Sequence, residues 1–182
     1  MKSRLVRLAG AASLCALILA CVVSNVVGPS SVHTGQVVTY QLAYGTNTLC
    51  FPRSPYTPAL IVDLPADWTL NSVTYVGSGT VSPPSGVGTV TTACPVIAAT
   101  AVPAGFQRIC LTGPLVTFQP PADTAIVSVK VTVGNVTGPH TLQFWGGGTW
   151  TGNGGGTCVQ PTPSTFAVTE TTPVMLQSFE AE

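Results

Sequence analysis

Charge is scarce in this chain: of 182 residues, six are Lys or Arg and six are Asp or Glu. Three of the cations, Lys2, Arg4 and Arg7, stand in the first seven residues. Once an N-terminal leader is set aside, Arg53, Arg108 and Lys130 face Asp63, Asp67, Asp123, Glu170, Glu180 and Glu182, a net charge of −3. Three scattered cations cannot neutralise a run of phosphates, which excludes nucleic acid as a partner, and they form no polybasic patch for anionic lipid. Histidine is equally sparse, with only His33 and His140. No Ser occupies a G-x-S-x-G elbow, so the parts of a hydrolytic triad are missing. No two cysteines stand as C-x-x-C, which argues against zinc. Helical periodicity is absent beyond the leader, because 19 Gly and 16 Pro interrupt every stretch before a helix reaches a stable length.

What is present begins with MKSRLVR and an apolar run from Leu8 to Ala20. A basic start followed by a core too short to span a bilayer has the form of a secretory signal. No later run reaches the roughly 20 apolar residues that a membrane helix needs. The expected organisation is a signal peptide over 1–20, a β-sandwich over 21–169 and a C-terminal tail over 170–182. Ile18-Leu19-Ala20-Cys21 suits an ordinary signal peptidase and loosely fits a lipobox, in which Cys21 would carry a lipid anchor. Val22, Val23, Val26 and Val27 follow at once where a lipoprotein has a polar tether, so simple export is preferred. In an exported chain the even set Cys50, Cys94, Cys110 and Cys158 reads as two disulfides. Cys94 and Cys110 flank a Pro- and Ala-rich stretch that suits a long loop between neighbouring strands. They are paired here, which leaves Cys50 with Cys158.

Between the Gly and Pro breaks lie short runs rich in Val, Thr, Tyr and Ile, the residues of a pleated, half-buried surface. In HTGQVVTYQLAYG, Val38, Tyr40, Leu42 and Tyr44 share one face, and Val37, Thr39, Gln41 and Ala43 the other. In TAIVSVKVTVG, Ala125, Val127, Val129, Val131 and Val133 oppose Ile126, Ser128, Lys130 and Thr132. Further strands are expected at Val22 to Val27, Ala59 to Asp63, Thr69 to Val76, Gly88 to Cys94, Gln107 to Leu111, His140 to Trp145 and Thr165 to Thr169. Seven to nine short strands separated by turn signals predict an all-β, Ig-like antiparallel sandwich behind the signal helix.

Three segments, GPSSVHTGQVVTYQLAYGTNT, IVDLPADWTLNSVTYVGSG and TAIVSVKVTVGNVTG, carry a family pattern. The pattern is a Gly-led strand ending in Asn, a D-x-LP turn and a long Val/Thr strand. Gly35, Tyr40 and Asn47 match its first part, and Asp63-Leu64-Pro65-Ala66 its second. The chain thereby resembles, over about Val22 to Thr169, the conserved-repeat Ig-like domain of bacterial surface proteins, the domain of unknown function numbered eleven. It departs from it in Gly45, Thr46 and Cys50, around Cys94 and Cys110, and in WGGGTWTGNGGGTC. The tail TTPVMLQSFEAE separately resembles the run that precedes a C-terminal sorting segment, though no apolar anchor or basic stop follows Glu182. The resemblance implies stalk, spacer or adhesive service at a cell surface and supplies no catalytic residues.

The chemistry-bearing residues read accordingly. His33 and His140 are expected as exposed turn residues. Asp63 is expected to bond its own backbone in the D-x-LP turn, a reading preferred over a calcium site built from Asp63, Asp67 and Asp123. Trp68 is expected to pack in the core at a sheet end. The glycine-rich segment has no helix after it, so it is not a phosphate cradle. Trp145, Trp150 and Asn153 are the candidate binding residues, two flat rings and an amide suited to a sugar; the alternative is that both rings close the end of the sandwich. Asn135-Val136-Thr137 fits a glycosylation acceptor but reads as hairpin chemistry. Val174, Met175, Leu176 and Phe179 can add an edge strand. The expectation is an exported, non-catalytic structural or adhesive module, extracellular or on the cell surface, with no cofactor or metal. Its partners would be other surface proteins or a glycan; the alternative is a carbohydrate-binding module.

Overall fold

A computed structural model describes residues 23–45, 55–79, 84–94, 100–116, 124–151 and 155–173. The signal segment, Cys21, Cys50, Asp123, Asn153 and the tail from Val174 lie outside the described residues. The strands are β1 Val23–Val27, β2 Ser31–His33, β3 Val37–Tyr44, β4 Tyr56–Pro65, β5 Thr69–Ser78 and β6 Gly86–Val87. They continue as β7 Thr89–Thr91, β8 Phe106–Thr112, β9 Thr124–Thr132, β10 Gly138–Trp150, β11 Gly156–Val159 and β12 Ser164–Thr171.

One sheet runs β1-β3-β9-β5-β6 and the other β2-β12-β10-β4-β8-β7, with β11 also paired to β10. Taking β1, β3, β4, β5, β9, β10 and β12 as strands A to G gives A-B-E-D in one sheet and C-F-G in the other. That is the immunoglobulin-type arrangement. The segment β6 to β8 is an insertion between D and E that widens the second sheet beyond β4. The expected Ig-like sandwich is thus what forms.

The two alternating strands behave as their period dictates. Val38, Tyr40, Leu42 and Tyr44 of β3 and Ala125, Val127, Val129 and Val131 of β9 are buried, and their intervening residues face outward. Eight paired residues hold β3 and β9 together, from Val37↔Thr132 to Tyr44↔Ala125. A one-residue slip would expose both apolar faces, so the core itself fixes the register. Each large side chain so buried contributes about 1.5–3 kcal/mol. Leu60, Val62, Leu64, Leu111, Leu142 and Phe144 of the second sheet close the same core from the other side.

The second sheet departs from simple alternation because both of its faces are covered. Ala59, Ile61, Cys110 and Trp145 form a separate buried cluster on its outer face, joined by Cys94 and Val159. A strand covered on both faces loses its period and reads as a continuous apolar run. ALIVDLP in β4 has this character, and β4 is longer than the Ala59–Asp63 expected. The sequence reading also missed β2, β6 and β11, and ended β10 and β12 too soon. Gly88 to Cys94 holds only the short β7.

Candidate functional site

The described residues of the glycine-rich segment form a strand pair. β10 continues through Gly146, Gly147, Gly148, Thr149 and Trp150, and β11 returns beside it, with Trp150 opposite Gly156 and Gly148 opposite Cys158. Glycine is required because aromatic rings occupy the space of the missing side chains. A Cβ on Gly148 would lie 2.0 Å from the Tyr56 hydroxyl, and one on Gly156 would lie 2.3 Å from the Trp150 ring. Tyr44 Oη donates to the Gly147 carbonyl at 2.7 Å, and the Tyr56 hydroxyl donates to the same oxygen. Burial pushes both phenols well above their usual range, so they remain neutral donors. The described residues of the segment are paired strand packed around Tyr56 and Trp150.

Trp145 points out of the main core into the second cluster, where it is fully buried (0% exposed). The Arg108 guanidinium lies 4.8 Å above its ring, a cation–π contact. Its indole N–H has no hydrogen-bond partner. Trp145 therefore has no free face to offer a sugar, which corrects its reading as a stacking platform and as a lid on the sandwich end. Trp150 is half-buried, lies over Gly156 and packs against the main core. Asn153 is outside the described residues.

Asp63 corrects a second expectation. It sits within β4, fully buried, directly opposite Arg108 of β8. Arg108 Nε donates to Oδ1 at 2.8 Å and Nη2 to Oδ2 at 2.7 Å, while Nη1 donates to the Thr100 carbonyl at 2.7 Å. The hydrogen bonds it donates to Asp63 hold the guanidinium above its ordinary range, against the opposing effect of burial. The turn carboxylate is instead Asp67, whose Oδ2 accepts the backbone N–H of Asn135 at 2.6 Å and of Val136 at 2.9 Å. Desolvation pushes its pKa up. The backbone donors, with His140 nearby, outweigh that, so the carboxyl is held below its usual range. Among the described residues no three His, Cys, Asp or Glu side chains converge to hold a metal.

His140 is a third correction. It lies on β10 with its side chain 11% exposed, edge-on to Trp68 and Phe106. Its Nε2 is 2.9 Å from the Val136 carbonyl, so that nitrogen carries the proton, and 3.6 Å from Glu170 Oε2. Glu170 is itself buried, accepts the Trp68 indole N–H at 2.9 Å, and leaves Oε1 without a partner. The sequence reading placed Glu170 in the tail, yet alternation along β12 puts it on the same face as Phe166 and Val168. His33 is exposed as expected, and its Nδ1 is 2.8 Å from Thr171 Oγ1. Trp68 is core, as expected.

Cys94 and Cys110 are disulfide-bonded, with Cα atoms 5.1 Å apart, pinning the chain after β7 to β8. Cys158 is also oxidised, and its partner is outside the described residues.

No protein-family model matches the chain, and no curated protein does. Solved structures are similar in fold. A cohesin module from a Clostridium perfringens family 33 glycoside hydrolase aligns over 84% of this chain and 99% of its own, at 15% identity and TM-score 0.46. A collagen-binding domain from a Staphylococcus aureus adhesin covers 82% and 99%, at 12% identity and TM-score 0.43. AvmM, which catalyses macrocyclization in alchivemycin A biosynthesis, covers 86% and 94%, at 8% identity and TM-score 0.41.

Proposed function

We propose that the chain is an exported, non-catalytic module that serves a structural or adhesive role at or outside the cell surface. The observation that carries this reading is where the chain joins the sandwich. It enters at Val23, beside Gln160 and Ser164, and leaves past Thr171, beside His33. β2 runs parallel to β12, so the chain joins the sandwich at opposite poles, which lets one pole face the cell and the other face outward. The oxidised Cys94, Cys110 and Cys158 support an extracytoplasmic location. Its buried charged groups serve as ties between strands, Asp63 to Arg108 and Glu170 to Trp68.

In this reading the partners are other surface proteins or a glycan met through the exposed outer surfaces. Cys21 stands two residues before Val23, a reach of about 7 Å in extended chain. Acylation there would seat the Val23 pole against the membrane and direct the Thr171 pole outward.

The test is to express the full chain with its own leader in a bacterial host. Labelling of intact cells with a membrane-impermeant amine reagent, with the mass of the mature protein, is expected to show a surface-exposed, leader-processed, oxidised chain. Retention in the cytoplasm with free thiols would overturn the reading.

A further inference from the structure

We infer that the module binds a second copy of itself through the bare outer face of the β1-β3-β9-β5-β6 sheet, the two faces stacked with strands antiparallel, so that the contact joins copies carried on facing surfaces. The inference names a partner for the surface module and rests on that reading for its setting. Its first observation is where apolar surface is left uncovered. The described residues expose nine large apolar side chains, and five of them, Val27, Val37, Val76, Val87 and Ile126, lie in this one sheet. Cross-strand pairing puts them on one face. Ala43, Ile126 and Val76 stand in one row, and Val27, Gln41, Ser128, Thr74 and Val87 in the next. Val76 and Ile126, adjacent across β5 and β9, are 64% and 44% exposed. Valines scattered singly need no account, whereas a contiguous apolar face marks a contact. The sheet edges offer little ladder for an added strand. β1 leads into β2 and β6 into β7, each crossing from one sheet to the other, and these edge strands have only two to five residues. The outer face of the other sheet already holds its own buried cluster around Trp145.

The chemistry of the face selects its occupant. Tyr40, Tyr44 and Tyr75 turn inward, which leaves these strands no exposed ring on which a sugar could stack. Lys130 is the only charged residue in the five strands, and it is exposed. A face of Val, Ile, Thr, Ser and Gln with one cation and no acid suits a partner of the same kind, provided that the two cations are kept apart. β9 is the middle strand, and two identical faces can stack over it with two-fold symmetry in two ways. With the axis along the strands, like rows meet and Lys130 lies on Lys130. With the axis across the strands, over Ser128, β9 lies on β9 in the opposite direction and Lys130 lies on Ile126 of the other copy. The lysine stem then covers apolar surface, and the two ammonium groups stand about 13 Å apart along the strand, beyond the Debye length of about 8 Å at physiological salt. Like charge thus selects the antiparallel stacking. At about 3.3 Å by 4.8 Å per residue the face covers about 500 Å². The pair buries about 1,000 Å², the size of a weak, reversible interface. Antiparallel strands point the Val23 poles of the two copies in opposite directions, the geometry of copies held by facing surfaces and not of neighbours on one surface.

Sedimentation equilibrium of the exported, leader-processed chain tests this. Its mass is expected to rise from one copy toward two between about 10 µM and 1 mM, the range of a weak contact. Ile126→Lys sets a second cation against the partner copy's lysine and is expected to weaken association at least about tenfold. Ile126→Glu sets a carboxylate there instead, and is expected to keep association and make it weaken with added salt. Val136→Lys, at an exposed valine outside these strands, is the control and is expected to change nothing. A single-copy mass throughout would overturn the inference, and so would association that Ile126→Lys leaves unchanged. Association lost equally in Ile126→Glu and Ile126→Lys would overturn the antiparallel stacking and the inference with it. If these variants do not fold, Val76→Lys and Val76→Glu, at the exposed neighbour in the same row, replace them. A single-copy mass in a chain found oxidised on the cell surface would sink the contact and leave the module reading standing. A two-copy mass in a chain retained in the cytoplasm would sink that reading, and with it the setting on facing surfaces, and leave the contact.

Discussion

Asp63 and Arg108 face each other across β4 and β8 through two hydrogen bonds of 2.7 and 2.8 Å, with the carboxylate fully buried. Together with the Arg108–Trp145 contact, the pair makes this part of the second sheet's outer face an ionic and aromatic layer. Arg108→Met leaves a buried carboxylate without its partner and is expected to cost about 3–5 kcal/mol. Asp63→Leu with Arg108→Met removes both charges and is expected to be markedly milder. Urea unfolding of the two variants checks the difference, and equal losses would show that the pair is not desolvated.

The packing of Tyr56 against β10 gives a second expectation. Gly148→Ala drives a methyl group into the phenol ring and its hydroxyl, and is expected to destabilise by at least about 1–3 kcal/mol. Gly45→Ala, where nothing lies within 4 Å of the added Cβ, is the control and is expected to be nearly silent. Thermal unfolding distinguishes them.

The Asp67 carboxyl has a lowered pKa in the folded chain, so its contribution is present above the unfolded carboxylate value of about 3.9 and is lost as pH falls through the folded value. Asp67→Ala is expected to flatten the acid limb of a stability-versus-pH curve without changing its slope near neutrality. An unaltered acid limb would contradict the role given to the Asn135 and Val136 amides.

Glu170 and Trp68 supply a fourth. Glu170→Ala removes the acceptor of a buried indole N–H and is expected to cost about 1–3 kcal/mol. Glu170→Gln keeps an acceptor and is expected to cost less. The near-ultraviolet circular dichroism of the tryptophans and the unfolding midpoint report both.

Much of this was legible in the sequence where one face of a strand is wet. The alternation at Val38, Tyr40, Leu42 and Tyr44 survives because β3 has solvent on its other side. The Cys94–Cys110 bond was legible because the loop between them needed closing. Where both faces are dry the code fails. Asp63 sits beside Leu64-Pro65-Ala66 and reads as a turn residue, and only its cross-strand neighbour Arg108, 45 positions away, makes burial tolerable. The glycines of β10 and β11 read as a short strand or a flexible loop because the rings that fill their space belong to Tyr56, for Gly148, and across the hairpin to Trp150, for Gly156. Glu170 was separated from the sandwich by ending β12 at Thr169. Carrying the alternation from Phe166 and Val168 one step further would have placed it inward. Arg108 and Gln160 have no local signature, since their partners are set by topology.

The claim on which the functional reading depends is that the chain joins the sandwich at opposite poles. The most direct test is the distance between spin labels on exposed Ser24 and Thr172, attached through a ketone-bearing residue so that the native cysteines stay oxidised. β12 has eight residues, and at about 3.3 Å per residue the separation is expected to centre on about 25 Å. A single short distance, below about 15 Å, would place both ends at one pole and contradict the account.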